Sequence, residues 1–132
     1  MPPRRLLMAT GSGSLSRMVP GEDGILTNLR RGVVEYCVLA SLRQEASYGR
    51  DIARGLAEDG LLAGGEGTLY PLLARLRRAG WVRTNWQESS AGPPRKYYSV
   101  TAEGEQALDV FTHAWTPFRR AVDAALGDGD DD

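Results

Sequence analysis

Residues 65–80 read GEGTLYPLLARLRRAG, and the fold turns on this stretch. Leu69, Leu72, Leu73 and Leu76 recur at helical spacing, so one face of a helix turns inward. Proline is tolerated in or near a first helical turn and costs about 3 kcal/mol deeper in. Pro71 therefore places the helix start near Gly67, and Gly80 supplies a C-terminal cap. The glycines at 64, 65 and 67 let a backbone come close to another molecule, and the N–H groups at a helix start can meet phosphate. Thr68 and Tyr70 add neutral polar reach, and Arg75, Arg77 and Arg78 leave cations for outward faces. A helix of this kind suits the major groove of DNA. On their own, the arginines also fit a solvated face that favours the helix C-terminus.

The flanking segments give that helix a context. From about Leu26 to Arg43 the chain is apolar on nearly every side, which predicts a central, mostly buried helix. Ser47 is an N-cap candidate for a second helix, YGRDIARGLAED (48–59), and GLLAGGEG (60–67) reads as the turn before the third. WVRTNWQ (81–87) and KYYSV (96–100) are rich in strand-favouring residues around the loop ESSAGPPR (88–95), which predicts a β-hairpin. Arg95 and Lys96 follow its proline-stiffened turn, where a wing would track phosphates. Thr101 caps a last helix to about Leu126. The fold class expected is mainly α with a small β-hairpin (α+β): a winged helix-turn-helix over residues 25–100, then a long dimerisation helix over 101–126. Residues 1–24, with GSGSLS and PGED, read as a flexible extension, and residues 127–132, GDGDDD, as a disordered acidic tail. Met8 and Met18 leave the true start open.

Composition narrows the function. One cysteine (Cys37) and one histidine (His113) leave no disulfide and no cysteine cluster for a metal, so no metal site or cofactor is expected. Cys37 lies in the apolar run VVEYCVLASL, where a buried structural thiol is the simpler reading. No phosphate loop or nucleophile elbow occurs, and the chain reads as no enzyme. No apolar run reaches the roughly 18–20 residues of a membrane span, and the protein is expected in the cytoplasm. The net charge of −1 conceals a split: residues 26–100 carry 11 Lys+Arg against 7 Asp+Glu, whereas residues 101–132 carry 2 against 8. A basic body and an acidic end suit a chain that meets a polyanion with one part only.

Four ordered blocks, LRRGVVEYCVLASL, SYGRDIARGL, GTLYPLLARLRRAGWV and GPPRKYYSVTAEG, closely resemble the PadR family of bacterial transcriptional regulators over about residues 26–126. The resemblance implies a dimeric winged-helix repressor on a palindromic operator, in the short form with a single C-terminal helix. It implies Tyr48 near phosphate at the start of the second helix, Thr68, Leu69, Tyr70 and Arg75 on the recognition helix, and Lys96 in the wing. Many such regulators respond to a small molecule.

In the last helix, Leu108, Phe111, Trp115, Phe118, Val122 and Ala125 follow spacings of 3, 4, 3, 4 and 3, a heptad-like stripe. Such a stripe is covered by its own first helix, by a second copy, or by both, and a homodimer satisfies each. Pro117 lies inside the stripe and is expected to kink or break the helix near Trp115. That bend either wraps the partner or opens a slot beside Phe111, Trp115 and Phe118 for a planar or aromatic effector; some short-form relatives bind planar molecules in this way. The alternatives left open are a ligand-independent regulator and a winged-helix dimer that binds protein.

Overall fold

The computed structural model describes residues 21–58, 60–62, 66–89 and 91–127. Among them the order is α1 (Glu22–Arg30), α2 (Val34–Gln44), β1 (Ser47–Tyr48), α3 (Gly49–Leu56), α4 (Glu66–Arg78), β2 (Val82–Ser89), β3 (Gly92–Val100) and α5 (Ala102–Ala125). This is a winged helix-turn-helix with a long C-terminal helix. The sheet is antiparallel in the order β1-β3-β2. Leu39, Ile52, Leu73, Leu76 and Leu108 are fully buried, so α2, α3, α4 and α5 share one core. Cys37 is half-buried and packs against that core.

The single apolar helix expected from about Leu26 to Arg43 is two helices. Gly32 has φ +76, and the Arg31 and Val33 N–H groups donate back to Asn28 O and Arg30 O. A left-handed residue ends α1 and lets α2 start in a new direction. Residues 22–24, expected in the flexible extension, begin α1, and residues 1–20 and 128–132 lie outside the described residues.

The second correction concerns Ser47. It makes no cap: its hydroxyl donates to Glu45 O at 3.3 Å, and Tyr48 is the N-cap residue of α3. Ser47 and Tyr48 pair instead with Tyr98 and Tyr97 as a third strand. Two residues are too short to show period-2 alternation, so sequence patterning passes over them.

α4 begins at Glu66, one residue before the expected start, and Pro71 falls in its second turn. Its end follows expectation. Gly80 has φ +83, its N–H donates to Arg77 O, and the Trp81 N–H donates to Leu76 O, both at 3.0 Å. This paired bonding is a Schellman cap.

The hairpin is longer than expected, and most of the segment read as a loop belongs to its strands. Gln87 pairs with Arg95 and Ser89 with Gly92, so Pro93 and Pro94 together oppose Glu88. Prolines have no N–H for the ladder, and a bulge is where a strand tolerates them.

Thr101 caps α5 as expected: Gly104 N–H donates to Thr101 Oγ1 at 3.1 Å, and that hydroxyl donates to Gly80 O at 2.6 Å. Of the kink or break expected at Pro117, the break does not occur: α5 is helical through Ala125. Proline's own φ is helical, so the conflict is confined to the His113 carbonyl one turn back. Residues 112–114 are exposed, and that carbonyl can bond to water.

Candidate nucleic-acid interface

The N-termini of α3 and α4 and the near face of the hairpin enclose a concavity of about 370 Å³. Tyr48, Arg50, Tyr70, Trp86, Arg95 and Lys96 line it. Three of these side chains are cations, and no carboxylate lines the concavity. Each residue is brought there by local structure. Tyr48 ends β1, where its ring meets Tyr97 edge-on at 4.9 Å. Arg95 lies over the Tyr48 ring, with its guanidinium carbon 4.6 Å from the centroid. Lys96 pairs across the hairpin with Trp86, and its Nζ stands 5.6 Å from the indole. Cation–π contacts of this kind hold two flexible side chains on the wing without neutralising them.

Gly49 sets how closely α4 approaches α3. A Cβ on it would lie 2.6 Å from Tyr70 Cε1 and 2.9 Å from the Tyr70 hydroxyl. The Tyr70 ring therefore rests on glycine backbone and remains 44% exposed. Tyr98 forms the buried end of the concavity. Burial raises its phenol above the ordinary tyrosine range, Tyr70 nearby raises it further, and Arg77 opposes the shift. The phenol stays neutral across the physiological range.

The structure thus gathers Tyr48, Tyr70, Arg95 and Lys96 of the residues expected at DNA. Thr68 and Arg75 line a second, larger cleft of about 780 Å³ between α1, α2, α3 and α4, which shares only Arg50 with the first. There Arg75 Nη2 pairs with Glu35 Oε1 at 2.9 Å, and the Glu35 side chain is only 19% exposed. Arg75 thus ties the recognition helix to α2. Leu69 requires a correction: at 5% exposure its side chain belongs to the core and offers nothing to DNA. It lies on the recognition helix as expected and seats that helix against the domain. Gly49, Trp86 and Glu35 were not singled out by the sequence reading. Trp86 was visible only as one strand-former among several.

The C-terminal stripe divides in two. Leu108 is 1% exposed inside its own domain, so it is a core residue and not part of a dimer surface. Phe111 stacks on Tyr36 of α2, with centroids 4.3 Å apart and planes within 6°. Trp115 follows at 5.7 Å and Phe118 at 6.3 Å, forming an aromatic ladder along the arm. Burial, and then the neighbouring Glu35 carboxylate, raises the Tyr36 phenol. Phe118 is 62% exposed, and Val122 and Leu126 continue that exposed face. His113 is exposed beside it. No group of three or more His, Cys, Asp or Glu suited to a metal exists among the described residues. None of the helices among them is long and apolar enough to cross a membrane.

A recognition helix, a cationic wing and a projecting helical arm define the class: a winged-helix transcriptional regulator. Comparison with known proteins gives the family. The sequence profile of the transcriptional regulator PadR-like family matches residues 38–110. A PadR family transcriptional regulator from Eggerthella lenta is 34% identical, with 79% of this chain and 90% of that one covered and a TM-score of 0.69. A PadR-like transcriptional regulator from Bacillus cereus is 33% identical, covering 75% and 96%, with a TM-score of 0.68. A PadR-like transcription factor from Bacteroides fragilis is 38% identical, covering 77% and 98%, with a TM-score of 0.64. The chain belongs to the PadR-like family of transcriptional regulators, and it is not an enzyme.

Proposed function

We infer that this regulator is a cytoplasmic repressor that binds an inverted-repeat DNA operator as a two-fold dimer. The observation that carries this reading is the concavity between α3, α4 and the wing, lined by Arg50, Arg95 and Lys96 with no carboxylate. Phosphates fit a surface of that charge, and the first turns of α4, with Thr68 and Tyr70 exposed, then meet base edges. The test is fluorescence anisotropy on the DNA upstream of the protein's own gene against scrambled duplex, across a salt series. Sequence-selective binding with a slope of about −0.9 per neutralised phosphate is expected. Equal, weak binding to both duplexes, with a protein recovered in pull-down, would favour the protein-interaction reading instead.

The arm supports the dimer. Ile25 and Leu29 of α1, Phe118 and Val122 of α5 and Leu126 at its C-cap are large apolar side chains left exposed in one chain. Exposed apolar surface of this kind marks an association site. Two readers related by a dyad would enter grooves about 34 Å apart. Phe118→Asp with Val122→Asp is expected to give a folded monomer by sedimentation. Operator affinity should then fall by about 10²-fold or more, because the second half-site contact is no longer intramolecular. A double variant that stays dimeric would remove the arm from the interface.

An effector, where one acts, is planar or aromatic and sits beside Trp115 and Phe118, since Tyr36 already covers one face of Phe111. It would release DNA only as far as its affinities for the two arrangements of the dimer differ.

A further inference from the structure

Trp86 is a large indole in an unusual place. It is 67% exposed on β2, although burial of such a side chain is worth about 1.5–3 kcal/mol. The strand register explains how it comes to be there. Val82, Thr84 and Trp86 share one face of β2, opposite Val100, Tyr98 and Lys96. Val82 and Tyr98 on that face are buried in the core. Two residues further along, the same face has left the domain and looks into the concavity shared with Tyr48 and Tyr70. The sheet thus carries a core-type side chain out over the recognition helix.

Its surroundings specify what covers it. Arg50, Arg95 and Lys96 call for an anion, while the indole calls for an apolar, ring-sized body directly attached to it; the Tyr48 ring is already covered by Arg95 and Tyr97. A DNA backbone offers that pair at each nucleotide: a phosphate with its deoxyribose. We propose that the concavity seats one backbone phosphate of the operator and that Trp86 is the wall against its sugar. Arg50, Arg95 and Lys96 hold the phosphate oxygens. Trp86 excludes water from the sugar's apolar face and from the Lys96 ammonium beside it. This rests on the DNA-binding reading above and gives a nucleic-acid contact to an uncharged residue of the wing.

Charge and apolar contact separate in a salt series. The proteins compared are the full-length wild type, Trp86→Ala, Trp86→Phe and Lys96→Ala, each on one mixed-sequence 30-base-pair duplex and on the upstream duplex. Trp86→Ala is expected to bind about tenfold more weakly at every salt concentration with an unchanged slope, because no counterion release is lost. Trp86→Phe should recover most of the affinity. Lys96→Ala should flatten the slope by about 1. Thermal melts should match in all four, since Trp86 is exposed.

If Trp86→Ala flattens the slope as Lys96→Ala does, the indole only positions the lysine and the sugar-wall role is overturned. Wild-type affinity in Trp86→Ala overturns it outright. Preserved affinity with an altered oligomeric state in sedimentation would assign the concavity to a second copy, and that also overturns it. If the wild type binds neither duplex, the DNA-binding reading itself fails, a result distinct from all of these.

Discussion

Gly104→Ala is expected to destabilise the protein by about 3 kcal/mol, the upper part of the range for overpacking. Helix propensity alone predicts the opposite sign, because alanine is better than glycine by about 0.8–1.0 kcal/mol inside a helix. The contact decides it. A Cβ on Gly104 would overlap the Trp81 carbonyl oxygen and stand 2.8 Å from Val100 Cγ2. The carbonyl cannot rotate away, since it accepts from the Thr101 N–H at 3.0 Å. Lifting α5 to make room would strain the Thr101 cap, whose hydroxyl also donates to Gly80 O, and would draw Leu108 out of the core. A melting temperature lower by roughly 10 °C or more should follow. A melt at or above the wild-type value would show that α5 does not rest on the Trp81 carbonyl.

The glycine also marks how far the sequence was legible. The helices of the domain, the hairpin and the order of elements follow from patterns that local physics sets: the leucine spacing of α4, the Gly80 cap and the Thr101 cap. Apart from the local turn at Gly32, what escaped depends on residues far apart in the chain. Gly32 looks like any glycine within an apolar run until its positive φ divides α1 from α2. The strand at Ser47–Tyr48 exists only because β3 is there to pair with it. Arg75 looks like an outward cation on the recognition helix, and Glu35, forty residues earlier, engages it. Leu108 starts the heptad-like stripe, yet the stripe crosses from core to surface along α5, and periodicity carries no mark of that crossing. The site divides in the same way. Cationic wing residues and polar groups at a helix start are readable as types; the shared concavity, with Trp86 in it, appears only when three elements meet.

Reversing both wing cations, Arg95→Glu with Lys96→Glu, is expected to weaken operator binding at least about a hundredfold at low salt. Each lost phosphate contact removes about 0.9 from the salt slope, so the slope should flatten by about 1.8 before any repulsion is counted. Two carboxylates facing phosphates then add repulsion, strongest at low ionic strength, where the Debye length is about 30 Å at 0.01 M. Stability should change little. Arg95 is exposed, and its stacking over Tyr48 is worth about 0.5–1 kcal/mol at such a site. Arg75 is the poorer choice for this test, because a glutamate there would face Glu35 and any loss of binding would mix with a shifted recognition helix. The control is Arg120→Glu on the arm, an exposed position on α5 outside the concavity. It makes the same kind of charge change and should leave affinity within a few-fold, because exposed charges beyond a Debye length are screened. If the wing reversal and the arm reversal weaken binding equally per charge, DNA is responding to net charge alone, and the concavity is not where the phosphates sit.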